Sequence, residues 1–160
     1  LILGTSNISD GDTIKLGNIS NKDFVLDKIL TITSNSSSDV LTNVTFYFLE
    51  GSDNSTISDL NIVNTEKDAI DVYSTNIGIS NNVINVVDIN GICDLYAIYA
   101  NNANNLIAES NNITYSGKTG GNSSNAVIYV SKSTNVKIFN SDIYASLNSC
   151  PIDWKQVGYD

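Results

Sequence analysis

The segment Ile57-Ser58-Asp59-Leu60-Asn61-Ile62 is the first of four short segments that superimpose without gaps. The other three run from Ile79 to Ile84, from Ala108 to Ile113 and from Ile138 to Ile143, so successive starts are 22, 29 and 30 residues apart. An asparagine lies three residues before each start, at Asn54, Asn76, Asn105 and Asn135. Repetition at periods of 20 to 50 residues is typical of stacked-repeat architectures.

A second motif recurs upstream of the last three segments, as Ala69-Ile70-Asp71-Val72, Ala97-Ile98-Tyr99-Ala100 and Val127-Ile128-Tyr129-Val130. Both motifs alternate apolar and polar residues, which is the pattern of a strand with one buried face. Short polar corners such as Ser74-Thr75-Asn76 separate them. Each repeat therefore predicts two strands and a tight turn.

A strand with one apolar face cannot bury that face alone, but parallel coils stacked about 4.8 Å apart bury it together. We therefore predict an all-β fold, a right-handed single-stranded parallel β-helix (a solenoid) of about five to six coils. Its core would contain a column of equivalent isoleucines, Ile62, Ile84, Ile113 and Ile143. The chain is predicted to be one domain, 1–160, with irregular N-terminal coils in 1–52, regular repeats in 53–145 and a tail or cap in 146–160.

A further corner is predicted in the middle of each of the four segments, and asparagine dominates it. Asn tolerates left-handed backbone geometry, and its amide can bond the equivalent amide one coil away. We therefore predict a structural asparagine ladder rather than a ligand site. Its members are Asn81, Asn82, Asn111, Asn112 and Asn140.

Composition narrows the possible functions. Hydrophobic residues make up 41% of the chain and the net charge is −9. All eight basic residues are lysine and are scattered, so no cationic face for nucleic acid is predicted. No apolar run is long enough to predict a membrane span.

Three strings resemble a known family. They are Ser9-Asp10-Gly11-Asp12-Thr13-Ile14-Lys15-Leu16, Asp27-Lys28-Ile29-Leu30-Thr31-Ile32 and Asn76-Ile77-Gly78-Ile79-Ser80-Asn81-Asn82-Val83-Ile84. They resemble the parallel β-helix repeat family and, more narrowly, adhesin-like surface proteins of methanogenic archaea, in which such elements recur in this order. The resemblance implies an extracellular, adhesive or structural protein and implies no active-site motif.

Many parallel β-helices cut polysaccharides, so catalysis must be weighed. Pectate-lyase-like sites resemble one another in using an arginine base beside acidic calcium ligands, and polygalacturonase-like sites combine aspartates with a histidine. This chain has neither arginine nor histidine. The string Asp10-Gly11-Asp12 lacks further acidic calcium ligands and predicts a turn. We predict no catalytic residue, no metal and no cofactor.

A binding face is the more plausible site. Asp71, Tyr99 and Tyr129 occupy equivalent positions of successive coils, so they should lie side by side on one outward face. Aromatic rings in a row suit contact with a sugar or a protein. The alternative is that these tyrosines only shield the sheet.

Two features favour an extracellular, cell-surface location and a glycoprotein. One is the set of Asn-x-Ser/Thr sequons, which abundant Asn, Ser and Thr could also produce by chance. The other is the pair Cys93 and Cys150, which permits a disulfide if the loops bend toward each other. The possible glycosylation sites are Asn7, Asn18, Asn35, Asn43, Asn54, Asn112 and Asn122.

Three functions remain open at this point. The first is a non-catalytic, adhesin-like extracellular module that presents a face or its loop side to a glycan or protein surface. The second is a subunit of an extracellular β-helical fibre, with identical subunits meeting end to end. The third is a fragment of a polysaccharide lyase or glycoside hydrolase.

Overall fold

The computed structural model describes residues 2–3, 7–90, 95–117 and 126–147. Every regular element in these ranges is a β-strand, and the described ranges contain no helix. The predicted all-β class is therefore confirmed. The strands are β1 (Ile2–Leu3), β2 (Asp12–Leu16), β3 (Ile19–Leu26), β4 (Leu30–Ser34), β5 (Leu41–Phe48), β6 (Thr56–Ser58), β7 (Asn61–Thr65), β8 (Ile70–Val72), β9 (Gly78–Ser80), β10 (Val83–Asp88), β11 (Ile98–Asn101), β12 (Ile107–Glu109), β13 (Asn112–Gly117), β14 (Ile128–Ser131), β15 (Lys137–Phe139) and β16 (Asp142–Leu147).

The strands form two curled, parallel sheets that the chain visits in turn. The smaller sheet has the order β15-β12-β9-β6-β4-β2, and the remaining ten strands form the larger one. Each strand pairs with its equivalents from the preceding and following passages of the chain, and we call one such passage a coil. This order is consistent with a β-solenoid.

The larger sheet divides at β5. One side of this eight-residue strand pairs along its length with β3. Its other side pairs with β7 through Leu41 and Thr42 and with β8 through Phe46 to Phe48. From β5 onward the sheet therefore continues as two arms, β7-β10-β13-β16 and β8-β11-β14. The second arm carries the candidate site.

The repeat seen in the sequence sets the register of the strands. Ile62, Ile84, Ile113 and Ile143 are paired in succession, as predicted. The first three are fully buried, whereas Ile143 in the last described coil is 47% exposed. Burying such a column stabilises each coil only when a neighbour covers it, so the column is better covered at Ile62, Ile84 and Ile113 than at Ile143.

Two corners of the repeat need left-handed backbone geometry. The asparagines that precede the four segments, Asn54, Asn76, Asn105 and Asn135, have φ angles of 71°, 57°, 58° and 55°. Asn105 Nδ2 donates to Asn76 Oδ1 at 2.9 Å, and Asn135 Nδ2 donates to Asn105 Oδ1 at 2.8 Å. The side chains therefore link successive coils along this corner. The second corner has positive φ at Asp59, Asn81, Ser110 and Asn140.

The predicted asparagine corner contains two kinds of position. Asn81 and Asn140 are exposed at left-handed turns. Asn82 and Asn111 are buried, and Asn82 Nδ2 donates to Asn111 Oδ1 at 3.1 Å. Placing Asn112 at the corner was wrong, because Asn112 is the exposed first residue of β13.

The buried amides bind the backbones of neighbouring coils. Leu60 N donates to Asn82 Oδ1 at 3.0 Å, and Asn82 Nδ2 also reaches Ile57 O at 3.2 Å. One coil later, Asn111 Nδ2 donates to Ile79 O at 2.9 Å. These bonds satisfy backbone groups that a tight corner would otherwise leave buried without partners.

The N-terminal third joins the same sheets in continuous register. Gly11, with φ of 89°, lies in the turn predicted from Asp10-Gly11-Asp12, which is closed by a bond from Asp12 N to Ser9 O at 3.1 Å and leads into β2. The described residues include no helix that could cross a membrane. Cys93, Cys150 and Asn122 lie outside the described ranges.

Candidate binding face

The predicted row of outward residues begins one coil earlier than the sequence indicated. Strand pairing places Tyr47, Asp71, Tyr99 and Tyr129 side by side on β5, β8, β11 and β14. The residues on either side of Asp71 in the chain are fully buried in the core. Because side chains alternate along a strand, the row lies on the opposite, outer side of the sheet.

Two further tyrosines pack against this row. Tyr73 follows Asp71 by two residues, and its ring centroid lies 5.7 Å from that of Tyr99. The Tyr96 centroid lies 5.4 Å from those of both Tyr99 and Tyr129. We call this group the tyrosine face, defined as Tyr47, Asp71, Tyr73, Tyr96, Tyr99 and Tyr129.

The ring geometry decides what the tyrosine face can offer a partner. Tyr99 and Tyr129 are stacked, with centroids 5.3 Å apart and an interplanar angle of 9°. Each ring covers a face of the other, so this pair presents edges and hydroxyl groups rather than a broad platform. Tyr73 is tilted by 49° from Tyr99 and is 42% exposed. A partner that approaches the face therefore meets Tyr73 most directly.

Asp71 is not the open carboxylate that the sequence indicated. It is only 5% exposed, although it lies on the outer side of the sheet. The flanking strands place Tyr47 and Tyr99 on either side of it, and Tyr73 lies two residues further along the chain, just beyond β8. Within the described residues, its Oδ1 is buried without a hydrogen-bond partner. Asp71 does lie in the predicted row, and the large rings on the adjacent strands cover its short side chain.

Burial changes the acidity of this group. Desolvation raises the pKa of Asp71 from 3.8 to about 8, and repulsion from Asp68 and Asp23 adds to the increase. The pKa of Tyr73 and that of Tyr47 are also raised, first by burial and then by the charge of Asp71. Asp71 therefore holds a proton at neutral pH.

The acidic neighbours of Asp71 have partners of their own. Asp68 Oδ1 accepts a hydrogen bond from Tyr96 N at 2.7 Å. Asp23 forms an ion pair with Lys67, whose Nζ also donates to Asn43 O at 3.3 Å. Both aspartates nevertheless oppose the ionisation of Asp71.

A protonated carboxyl group among tyrosines has limited but specific chemistry. It can donate a hydrogen bond to a ligand, as a buried neutral acid does in some enzymes. It can also lose its proton when a cation binds beside it, because a nearby positive charge favours the ionised form. Tyr99 extends the polar surface, since Asn101 Nδ2 donates to its hydroxyl oxygen at 3.2 Å.

Sequence reasoning identified three of the six members of the tyrosine face. It missed Tyr47 because the N-terminal third was not aligned to the repeat. The available signal was the string Phe46-Tyr47-Phe48, which has the same apolar flanks as Ile70-Asp71-Val72. Tyr73 could have been found from the two-residue period of a strand.

The predicted glycosylation sites differ in their surroundings. Asn18 Nδ2 donates to Asp39 Oδ1 at 3.0 Å, and Asn43 Oδ1 accepts from Thr65 N at 2.8 Å. A glycan on either amide would disturb a bond between coils. The sequon asparagines Asn7, Asn35, Asn54 and Asn112 are exposed to solvent.

Comparisons with protein-family models, with curated proteins and with solved structures found no match to this chain. The resemblance to archaeal adhesin-like proteins therefore stays a prediction.

Proposed function

We propose that this protein is a non-catalytic extracellular surface module, adhesin-like, whose tyrosine face contacts a glycan or protein surface. Its fold is proposed to be a right-handed single-stranded β-helix of about five to six coils. The observation that carries the proposal is the tyrosine face itself. Five tyrosines gather on the outer side of the larger sheet around a carboxyl group whose Oδ1 is buried without a hydrogen-bond partner among the described residues.

The composition of the face supports a contact role. Tyrosine combines apolar area with a hydroxyl group, and it is enriched where proteins meet their partners. Shielding the sheet requires apolar cover but does not require a buried acid, which destabilises the fold. The absence of arginine and histidine from the sequence favours contact over cleavage.

Glycan-array binding with two tyrosine variants tests the proposal. Tyr73→Ala removes the most exposed ring of the face, and Tyr144→Ala removes a ring that is 65% exposed on the other sheet arm. We expect glycan binding that is weakened by Tyr73→Ala and unchanged by Tyr144→Ala. An array that stays clean excludes a glycan partner, and equal effects of the two variants exclude the tyrosine face.

The last described coil favours a second candidate, a subunit of an end-to-end fibre. The isoleucine column that is fully buried at Ile113 is 47% exposed at Ile143. A second copy stacked on this coil would cover Ile143. Sedimentation over a range of concentrations tests this candidate. Ile143→Glu should then prevent association, and Val83→Glu, at an equally exposed position within the stack, should not.

The third candidate, a fragment of a lyase or glycosidase, depends on Asp71 alone. A carboxyl group with a raised pKa can act as a general acid, but glycoside hydrolysis needs a second carboxylate in a suitable position. Product release from any glycan that binds the face would favour this candidate. Binding without cleavage would favour the surface module.

A further inference from the structure

The geometry points to the tyrosine face as a binding site for an organic ammonium group, held between the carboxylate of Asp71 and the rings of Tyr47, Tyr73 and Tyr99. This inference rests on the proposed role of the tyrosine face as a contact surface, and it names the chemistry of the group that is contacted.

The first step of the argument concerns charge. Asp71 has a buried oxygen without a partner, and Asp68 and Asp23 oppose its ionisation. Lys67 is engaged with Asp23, and the charges that raise the pKa of Asp71 are both negative. A cation is the ligand that such a region attracts, and an anionic ligand such as a uronic acid or a phosphate would be repelled.

The second step concerns the kind of cation. Calcium and magnesium require about six oxygen ligands, whereas the flanking strands surround Asp71 with aromatic rings. Organic ammonium groups bind within about 6 Å of aromatic ring centroids, and quaternary ones, which lack N–H donors, are recognised by clusters of aromatic rings. Tyr47 and Tyr99 lie on strands adjacent to Asp71, so a cation at its carboxylate lies within reach of both rings.

The third step concerns access. Asp71 is covered by its neighbours, and Tyr73 is the most exposed ring of the tyrosine face, at 42%. Its strand ends at Val72, so Tyr73 lies beyond the last regular residue of β8. Rotation of this side chain opens a path to the carboxyl group, and the ring then covers the bound cation.

Proton release gives the site a measurable signature. Asp71 must ionise to pair with the cation, so affinity rises as the pH approaches and passes the pKa of about 8. Linkage predicts binding roughly 30-fold tighter at about pH 9 than at about pH 6.5. The groups that face Asp71 are Asp68, Asp23, Tyr47, Tyr73 and Tyr99. The raised pKa of Tyr47 and that of Tyr73 keep both hydroxyl groups protonated across this range.

Titration of the full chain with choline tests the inference, and its neutral carbon isostere 3,3-dimethyl-1-butanol serves as the control ligand. We expect choline to bind with the predicted pH dependence and to release about one proton at about pH 6.5. The neutral isostere should bind weakly and without pH dependence. A second titration uses n-butylammonium, which resembles a lysine side chain. Tighter binding of n-butylammonium than of choline would indicate that the natural ligand is a lysine side chain rather than a quaternary ammonium group.

Variants locate the site. Asp71→Asn should remove both the pH dependence of choline binding and most of the choline affinity. The control is Asp59→Asn, at an exposed corner position that is asparagine in other coils, and it should leave both unchanged. Equal binding of choline and its isostere, affinity independent of pH, or no binding of either ammonium compound would overturn the inference. If one of these results is found but Tyr73→Ala still weakens glycan binding, the inference fails and the proposed function remains intact.

Discussion

Asp71→Asn should make the protein more stable at pH 8 and reduce the dependence of its stability on pH. The folded state keeps Asp71 protonated up to a pKa of about 8, while the unfolded chain releases this proton near pH 3.8. Between these values the folded state binds more protons than the unfolded state. The free energy of unfolding therefore falls as pH rises, by about 1.4 kcal/mol per pH unit for this one group.

The full effect follows from the width of this pH window. The contribution of Asp71 is favourable below about pH 4, decreases up to about pH 8 and is constant above it, a total change of about 5 kcal/mol. Asparagine does not ionise, so the variant lacks this loss. An amide buried without partners costs about 1–3 kcal/mol, which leaves a net gain of about 2–4 kcal/mol at pH 8.

Urea unfolding followed by circular dichroism at several values from about pH 4 to about pH 8 measures the effect. All other titrating groups are common to the two proteins, so the difference between their free energies of unfolding isolates Asp71. Asp59→Asn should parallel the wild type throughout. A difference between wild type and Asp71→Asn that does not change with pH, or a variant less stable than wild type at pH 8, would refute the reasoning.

Three further changes test the corners and the asparagine ladder. Gly51→Ala should lower the free energy of unfolding by more than about 1 kcal/mol, because φ is +97° and the added Cβ would collide with a backbone carbonyl. At Gly17 an added Cβ meets open space, so Gly17→Ala should have little effect. Thermal denaturation of the two variants measures the difference. Asn82→Ala should cost about 2–3 kcal/mol in urea unfolding because it leaves a buried backbone amide without a partner, and Asn112→Ala on an exposed strand should cost under about 0.5 kcal/mol. Asp53→Asn should lower the melting temperature at neutral pH only. Hydrogen bonds lower the pKa of Asp53, so its stabilisation is present above the pKa of the unfolded chain and is lost as pH falls through the folded value; an equal deficit in strong acid would contradict this.

The sequence predicted the register of the coils because register and repeat have the same physical cause. Each inward column needs apolar side chains at one position, so Ile62, Ile84 and Ile113 recur where the strands pair. The recurrent asparagines have a second cause, since left-handed corners tolerate Asn better than most residues. Asn76 and Asn105 therefore revealed the position of a corner whose geometry could not be read from the sequence.

The division of β5 between two arms was beyond sequence reasoning. Nothing in the string Leu41-Thr42-Asn43-Val44-Thr45-Phe46-Tyr47-Phe48 marks where one partner strand ends and the other begins. The separation depends on Asn64, a buried residue of β7, whose Oδ1 accepts from Val44 N at 2.9 Å and whose Nδ2 donates to Asp68 O at 2.7 Å. A polar residue at a core position can be predicted to need partners, but their identity depends on the fold.

The buried state of Asp71 was missed for a similar reason. A two-residue period assigns a side chain to the outer face, and it does not determine what covers that face. Tyr47 comes from a coil in which the strand is longer and the repeat less obvious, while Tyr73 lies just beyond the strand. The environment of Asp71 is the sum of contacts from three coils, and no single motif contains it.

The position of Asp71 within the row separates a structural role from a binding role. The flanking strands both place tyrosine there, and tyrosines can stack along such a row, as Tyr99 and Tyr129 do. Aspartate interrupts the row and destabilises the folded state at neutral and alkaline pH, which a residue needed only for shielding would not do. Functional sites often have this conflict with stability. If Asp71 serves a ligand, the same substitution to asparagine must raise stability and abolish binding; if it is only structural, no binding will be lost when stability rises.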